Sequence, residues 1–296
     1  MRYVAGIDIG TNTLLLLIAV KDQYGNMHVI RDEHRIARLG EGLNLTGTIS
    51  EQAIQRACII LQEYAEILSQ YEAITVKAIA TSAMRDAHNA SEVRMILESV
   101  LRYPIQIITG IEEAALTFLG SKEHFNKPVI IDIGGGSTEI IQLIDGNEHC
   151  MSIDIGAVRL TDTFIHQLPM QEEEVGTLKL HIASMINDIH LPQDATIIAT
   201  AGTPTTLAAI DLQIDDLSSP LIHGHRLDSN TITSISRQLC SSSLEEILRI
   251  PGVHPQRADI LPAGTLILSM IVEKIHAQFC IVSARGLRYG IAQSIM

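Results

Sequence analysis

Residues 129 to 139 read Val-Ile-Ile-Asp-Ile-Gly-Gly-Gly-Ser-Thr-Glu, and this stretch constrains the chain more than any other. Val129 to Ile133 is β-branched except at Asp132, the composition of a buried central strand. A carboxylate in such a strand is expensive to bury alone and asks for a partner. Three glycines then let the chain turn and leave its N–H groups uncovered. Ser137 and Thr138 add hydroxyls, and Glu139 returns a second carboxylate as the next apolar run begins at Ile140. A strand, a glycine turn and a strand with acids on both arms can hold a phosphate together with Mg²⁺. An ordinary glycine hairpin would account for the turn but not for the acid in the strand.

The pattern occurs twice. Ile7-Asp8-Ile9-Gly10-Thr11-Asn12-Thr13 aligns with Ile131-Asp132-Ile133-Gly134-Gly135-Gly136-Ser137, and each copy runs into a second apolar stretch. A repeated hairpin points to two similar domains facing each other across a cleft, each offering a phosphate-binding turn. The expected boundaries are 1–123 and 124–296, with a C-terminal helix at about 286–296 packing back on the first domain. At 296 residues the chain suits this division.

Composition narrows the partners. A net charge of −13 argues against nucleic acid and anionic membranes, and the absence of Trp removes one stacking platform for single strands. A polyanionic substrate would have to be gripped locally, by amides, a metal and a few arginines. Cys58, Cys150, Cys240 and Cys280 are scattered without a C-x-x-C, which fits a reduced, cytoplasmic setting. The apolar run Ile260 to Val272 contains Pro262 and is too short to span a bilayer.

Along the chain, strands are expected at 2–9, 13–20, 27–33, 74–80 and 105–108, then 151–155, 196–201 and 278–283. Leu39 to Gly47 reads as a loop, Ser50 caps a long helix to about Ser69, and a helix is expected over 172–190. Arg85 follows a strand end and reads equally as a surface arginine or as a phosphate clamp. Thr109 and Glu112 form a capping box for a helix running to about Phe125, which occupies Glu112 and leaves Glu113 in the first turn. Gly202-Thr203-Pro204 is a third strand-to-helix turn. His223-Gly224-His225 is a weak metal signal. No P-loop, nucleophile elbow or H-E-x-x-H is present.

On Asp8 to Thr13, Ala80 to Arg85, Ile108 to Ala114, Asp132 to Glu139, Ala201 to Thr203 and Ser283 to Arg288, the chain resembles the exopolyphosphatase/guanosine pentaphosphate phosphohydrolase family of the actin–Hsp70–sugar kinase superfamily. The resemblance implies an α/β protein of two ribonuclease-H-like domains that hydrolyses terminal phosphoanhydride bonds with Mg²⁺ or another divalent cation. It implies Glu113 as general base, Asp132, Glu139 and Asp8 as metal ligands, and Gly10, Thr11, Asn12, Thr13, Arg85, Gly134, Gly135, Gly136, Ser137 and Thr138 as phosphate-binding residues. It also makes a homodimer plausible. Ala284 stands where many members carry Asp, and the chain has no region matching the helical C-terminal domains of longer members. The expected activity is an exopolyphosphatase. The alternatives are a guanosine pentaphosphate phosphohydrolase, an ATP-dependent kinase of the same superfamily and a non-catalytic sensor.

Overall fold

The computed structural model describes residues 2–121, 127–144, 147–189, 191–192 and 195–296. The chain forms two compact units, Met1–Ser121 with Gly286–Met296, and Lys122–Arg285. The expected boundary at 123/124 and the expected helix ends at Phe125 and His190 lie outside the described residues.

Unit 1 begins with β1 (Tyr3–Ile9), β2 (Thr13–Lys21) and β3 (Met27–Ile36), a meander longer at its third strand than its apolar pattern indicated. The stretch expected to be a loop contains one turn of helix, α1 (Leu43–Thr46). Glycines 42 and 47 close both of its ends with positive φ, which a pattern of apolar residues does not reveal. Helix α2 (Glu51–Leu68) starts at Ser50, whose side chain accepts from Ala53 N. There follow β4 (Ile74–Ala80), α3 (Ser82–Asp86), α4 (Ala90–Leu101), β5 (Ile105–Ile107) and α5 (Gly110–Ser121). The sheet order is β3-β2-β1-β4-β5, antiparallel through β1 and parallel from β1 to β5. This is the ribonuclease-H-like arrangement.

Unit 2 repeats it. Strands β6 (Pro128–Ile133), β7 (Thr138–Ile144) and β8 (Asn147–Ile153) form the meander, followed by α6 (Ala157–Phe164), α7 (Glu172–Met185), β9 (Thr196–Thr200) and α8 (Gly202–Leu212). A short β10 (Arg226–Asp228), which the sequence pattern did not show, leads to α9 (Ser229–Ser241) and α10 (Leu244–Leu248). A 3₁₀ turn at Pro255–Arg257 precedes α11 (Leu261–Lys274), which has Pro262 in its first turn where no N–H is needed. Strand β11 (Phe279–Ser283) completes the sheet β10-β11-β9-β6-β7-β8. Without β10, this order and its strand directions repeat those of unit 1.

The last helix, α12 (Leu287–Gln293), belongs to unit 1 although it follows unit 2 in sequence. It lies on β1 and α5 at glycine contacts. A Cβ at Gly6 would stand 2.6 Å from Arg288 O, one at Gly120 would strike Gly286 O, and one at Gly290 would overlap Leu116 O. Arg288, nearly buried, is held by Asp32 on β3 through Nε–Oδ1 (2.8 Å) and Nη2–Oδ2 (2.9 Å) bonds. Gly290→Ala is therefore expected to destabilise unit 1 by about 3 kcal/mol, lowering its melting temperature by roughly 10 °C. Calorimetry showing no loss would mean that α12 does not need the close approach.

Candidate active site

The two meanders present the same turn. In unit 1 Asp8 pairs with Leu15 and Ile9 with Leu14, leaving Gly10 to Thr13 as the connection. In unit 2 Asp132 pairs with Glu139 and Ile133 with Thr138, leaving Gly134 to Ser137. Both turns close on the same bond, Gly10 N to Thr13 O at 2.9 Å and Gly134 N to Ser137 O at 3.0 Å.

The carbonyl side of each turn is tied to the segment that follows the third strand. In unit 1 Asn12 O accepts from Ala37 N (3.0 Å) and Arg38 N (2.9 Å), and Thr11 O accepts from Gly40 N (2.8 Å). Gly40 is required there, because a Cβ would strike the Thr11 methyl. Arg38 takes a left-handed φ of 52°, costly for a side chain, and Arg56 fastens the segment by donating to Ala37 O and Arg38 O. In unit 2 Gly134 O accepts from Ala157 N (3.0 Å), and Gly135 O accepts from Val158 N (2.8 Å) and Arg159 N (3.0 Å). Gly136 O accepts from Arg159 Nε (2.7 Å).

With the carbonyls held on one side, the amides face the other. Among the described residues the N–H groups of Thr11, Asn12, Gly135, Gly136 and Ser137 meet no protein acceptor. Successive uncommitted amides in a turn form an anion-binding concavity. Asn12 Oδ1 is also buried without a hydrogen-bond partner among these residues. Thr138 has a different task from the one its motif implied: it is fully buried, and its hydroxyl donates to Ile155 O (2.6 Å), fixing the segment before α6.

Unit 1 also holds Arg85 and Glu113. Arg85, in α3, donates from Nη1 to Ile108 O (2.9 Å) and to Glu113 Oε2 (3.2 Å). Its side chain is 24% exposed, too little for an ordinary surface arginine. In α5 the capping box forms in full: Glu112 Oε2 accepts from Thr109 N (2.8 Å) and Oγ1 (2.9 Å), while Thr109 Oγ1 accepts from Glu112 N (3.3 Å). Those donors hold the Glu112 carboxyl below its ordinary range. Glu112 is thus occupied at the surface, whereas Glu113, 9% exposed, turns inward. Arg85 Nη1 thus fixes one oxygen of the Glu113 carboxyl, and Oε1 has no contact of this kind with Arg85.

Unit 2 differs from unit 1 at one informative position. Where Asp8 faces Leu15, Asp132 faces Glu139, and these two acids are 8% and 1% exposed. Ser152, the next residue across the sheet from Glu139, donates to its Oε1 (2.8 Å). Like charges directly opposite on a sheet destabilise it, the more so when buried. Two hard oxygen donors in this arrangement suit Mg²⁺, which takes one or two carboxylates and fills its octahedron with water and phosphate oxygens. Among the described residues no group of three or more His, Cys, Asp or Glu gathers at one point, His223 and His225 included. Those histidines have structural partners: His223 Nδ1 accepts from Ala284 N (3.3 Å), and His225 Nε2 bonds Asp211 Oδ2 (2.8 Å).

Sequence reasoning did not find Arg257. Its Nε is buried without a hydrogen-bond partner, and no carboxylate pairs with it among the described residues. Burial alone draws the guanidinium down to about 10. It packs on the first residue of α8, where a Cβ on Gly202 would strike Nη1, next to the buried Thr203. A half-buried cation with a buried Nε at a helix N-terminus is a further place suited to an anion. Nothing local in His-Pro-Gln-Arg-Ala-Asp marks it; only burial does.

Among the described residues no helix is long and apolar enough to cross a membrane. The chain is 32% identical to exopolyphosphatase 2 of Mycobacterium tuberculosis, with 99% of this chain and 98% of that protein aligned. It superposes on the Aquifex aeolicus PPX-GPPA enzyme with a TM-score of 0.82 at 32% identity, covering 99% of each chain. An exopolyphosphatase from Cytophaga hutchinsonii gives a TM-score of 0.89 at 26% identity, covering 99% of this chain and 97% of that one. The model of the Ppx/GppA phosphatase family matches residues 17–296. The chain belongs to the Ppx/GppA phosphatase family and is a hydrolase of that kind.

Proposed function

We propose that the protein is an exopolyphosphatase that releases orthophosphate from the end of inorganic polyphosphate, with Mg²⁺ as cofactor and Glu113 as general base. The observation that carries this reading is the doubled turn, whose carbonyls are tied back and whose amides are left for an anion. Each such turn suits a phosphate, and the half-buried Arg257 offers a further cation. The relative from Mycobacterium tuberculosis, aligned over nearly its whole length, bears the name exopolyphosphatase.

Phosphoryl transfer to water needs a held phosphate and a water in line with the bond that breaks. The amides of Thr11, Asn12, Gly135, Gly136 and Ser137 would take phosphate oxygens at no cost in reorganisation, because their planes are already fixed. Arg85 would add a fork suited to two oxygens of one phosphate. Glu113 would accept a hydrogen bond from the attacking water and then its proton. Asp132 and Glu139 would hold the Mg²⁺, which when bound supplies neutralisation of charge on the transferring group. The reading keeps the cation and base in this protein's own residues and leaves the substrate to supply phosphates only.

The test is orthophosphate release by the purified protein from long-chain polyphosphate and from guanosine pentaphosphate in parallel, with and without Mg²⁺. Faster release from polyphosphate, dependent on the cation, is expected. Faster release from the nucleotide would assign the protein to guanosine pentaphosphate hydrolysis, and equal rates after chelation would remove the metal.

A further inference from the structure

The three peptide planes of the unit 2 turn are locked one by one. In a trans peptide the C=O and the N–H point in opposite directions, so fixing the carbonyl aims the amide that follows it. Gly134 O, held by Ala157 N, aims Gly135 N–H; Gly135 O, held by Val158 N and Arg159 N, aims Gly136 N–H. These locks are backbone groups that almost any sequence could supply at the start of α6. Gly136 O, which aims Ser137 N–H, is held by a side chain, Arg159 Nε at 2.7 Å. Gly156 makes this docking possible, since a Cβ there would lie 2.5 Å from Gly135 C and O.

We infer that Arg159 is a positioning residue: by holding Gly136 O it aims the Ser137 amide, the last N–H of the turn, at a bound phosphate. The role rests on the reading of the turn as a phosphate site but adds a residue that touches no substrate. Without the guanidinium, the 136–137 peptide has no lock of its own, and glycine at 136 gives it freedom to rotate. A Lys at 159 can place one donor near the carbonyl but cannot reproduce the directed Nε–H.

Gly-Ser occurs in the chain at 120–121 and at 136–137. Labelling glycine carbonyls with ¹³C and serine amides with ¹⁵N therefore isolates two signals, Ser137 and Ser121, the second in α5 and serving as an internal reference for folding. Inorganic phosphate, the reaction's product, is the titrant, so no turnover is required. In the wild type the Ser137 signal is expected to move with phosphate while Ser121 stays. In Arg159→Gln, Ser137 is expected to move already in the free protein, phosphate to bind about tenfold more weakly, and KM for tripolyphosphate to rise about tenfold with a smaller change in kcat. Arg159→Lys is expected to recover part of each change. If the Ser121 signal and the melting temperature are retained but Ser137, phosphate affinity and KM are unaltered in Arg159→Gln, the role is wrong. If wild-type Ser137 ignores phosphate while turnover is normal, the turn is not the phosphate site and the role falls with it. If Ser137 responds to phosphate yet neither polyphosphate nor guanosine pentaphosphate is hydrolysed, only the choice of substrate fails.

Discussion

Glu113→Gln is expected to abolish phosphate release, reducing kcat by about a thousandfold or more, while KM changes little. Gln has nearly the same shape as Glu, and its side-chain carbonyl can still accept the Arg85 Nη1 bond now made to Oε2 at 3.2 Å. The substitution therefore keeps the packing of α5 and the place of Arg85, and removes the ability to take a proton from water. Stability should move little, because the ion pair is exchanged for a hydrogen bond of the same shape in the same place. Glu112→Gln should behave oppositely. It weakens the capping box at Thr109, costing about 1 kcal/mol of helix stability, and leaves kcat near the wild-type value. Phosphate release measured for the two neighbours under one set of conditions decides the matter. Equal losses would place Glu113 in the scaffold, and a loss of binding as deep as the loss of turnover would say the same.

That contrast between neighbours was legible in the sequence, and it is instructive why. A capping box is a local rule with a fixed offset of three residues, so Thr109 could be seen to occupy Glu112 without any coordinates. The register of a hairpin is local too. A connection of four residues after Ile133 places Glu139 across from Asp132, and the same count places Leu15 across from Asp8. Both facts follow from alternation and turn length. By contrast, Arg85 meets Glu113 across 28 residues of chain, a contact made by the packing of α3 beside the start of α5. Spacing left Arg85 open between surface and phosphate clamp; what the structure adds is its contact with Glu113. That Arg159 Nε closes on Gly136 O depends on the docking of α6 against the glycines, which no local pattern shows. Thr138 looked like another phosphate hydroxyl because the motif lists it beside Ser137, but alternation along β7 turns it to the opposite side from Glu139, where Ile155 O takes its hydrogen. The fold was more legible than the site for the same reason: strands repeat a period, whereas a site collects residues whose only common property is where the packing leaves them.

Asp132→Asn carries the other large expectation, and its two effects have opposite signs. Measured with a chelator present, the variant should be more stable than the wild type. Asp132 and Glu139 stand directly opposite each other in the sheet at 8% and 1% exposure, and Asn removes one of two facing carboxyls, which repel across a sheet when both are charged. Asn retains the volume and an acceptor oxygen, so the β6–β7 packing has no reason to change. Activity should fall about a thousandfold, since a cation held by one carboxylate fewer no longer neutralises the transferring phosphoryl group. The two effects share one cause, which a thermal titration can expose. Mg²⁺ should raise the wild-type melting temperature in proportion to the cation it binds, by about 2.7 kcal/mol of stability at a hundredfold excess over its dissociation constant. The same titration should leave Asp132→Asn nearly unmoved. A variant that is less stable than the wild type under chelation would show that the Asp132 carboxylate supports the fold without a cation. A wild type whose melting is indifferent to Mg²⁺ would take the metal away from this pair. Stability traded for a cation site is the usual signature of acids placed for function, and here it would explain why a strand as apolar as Val129 to Ile133 carries an aspartate at all.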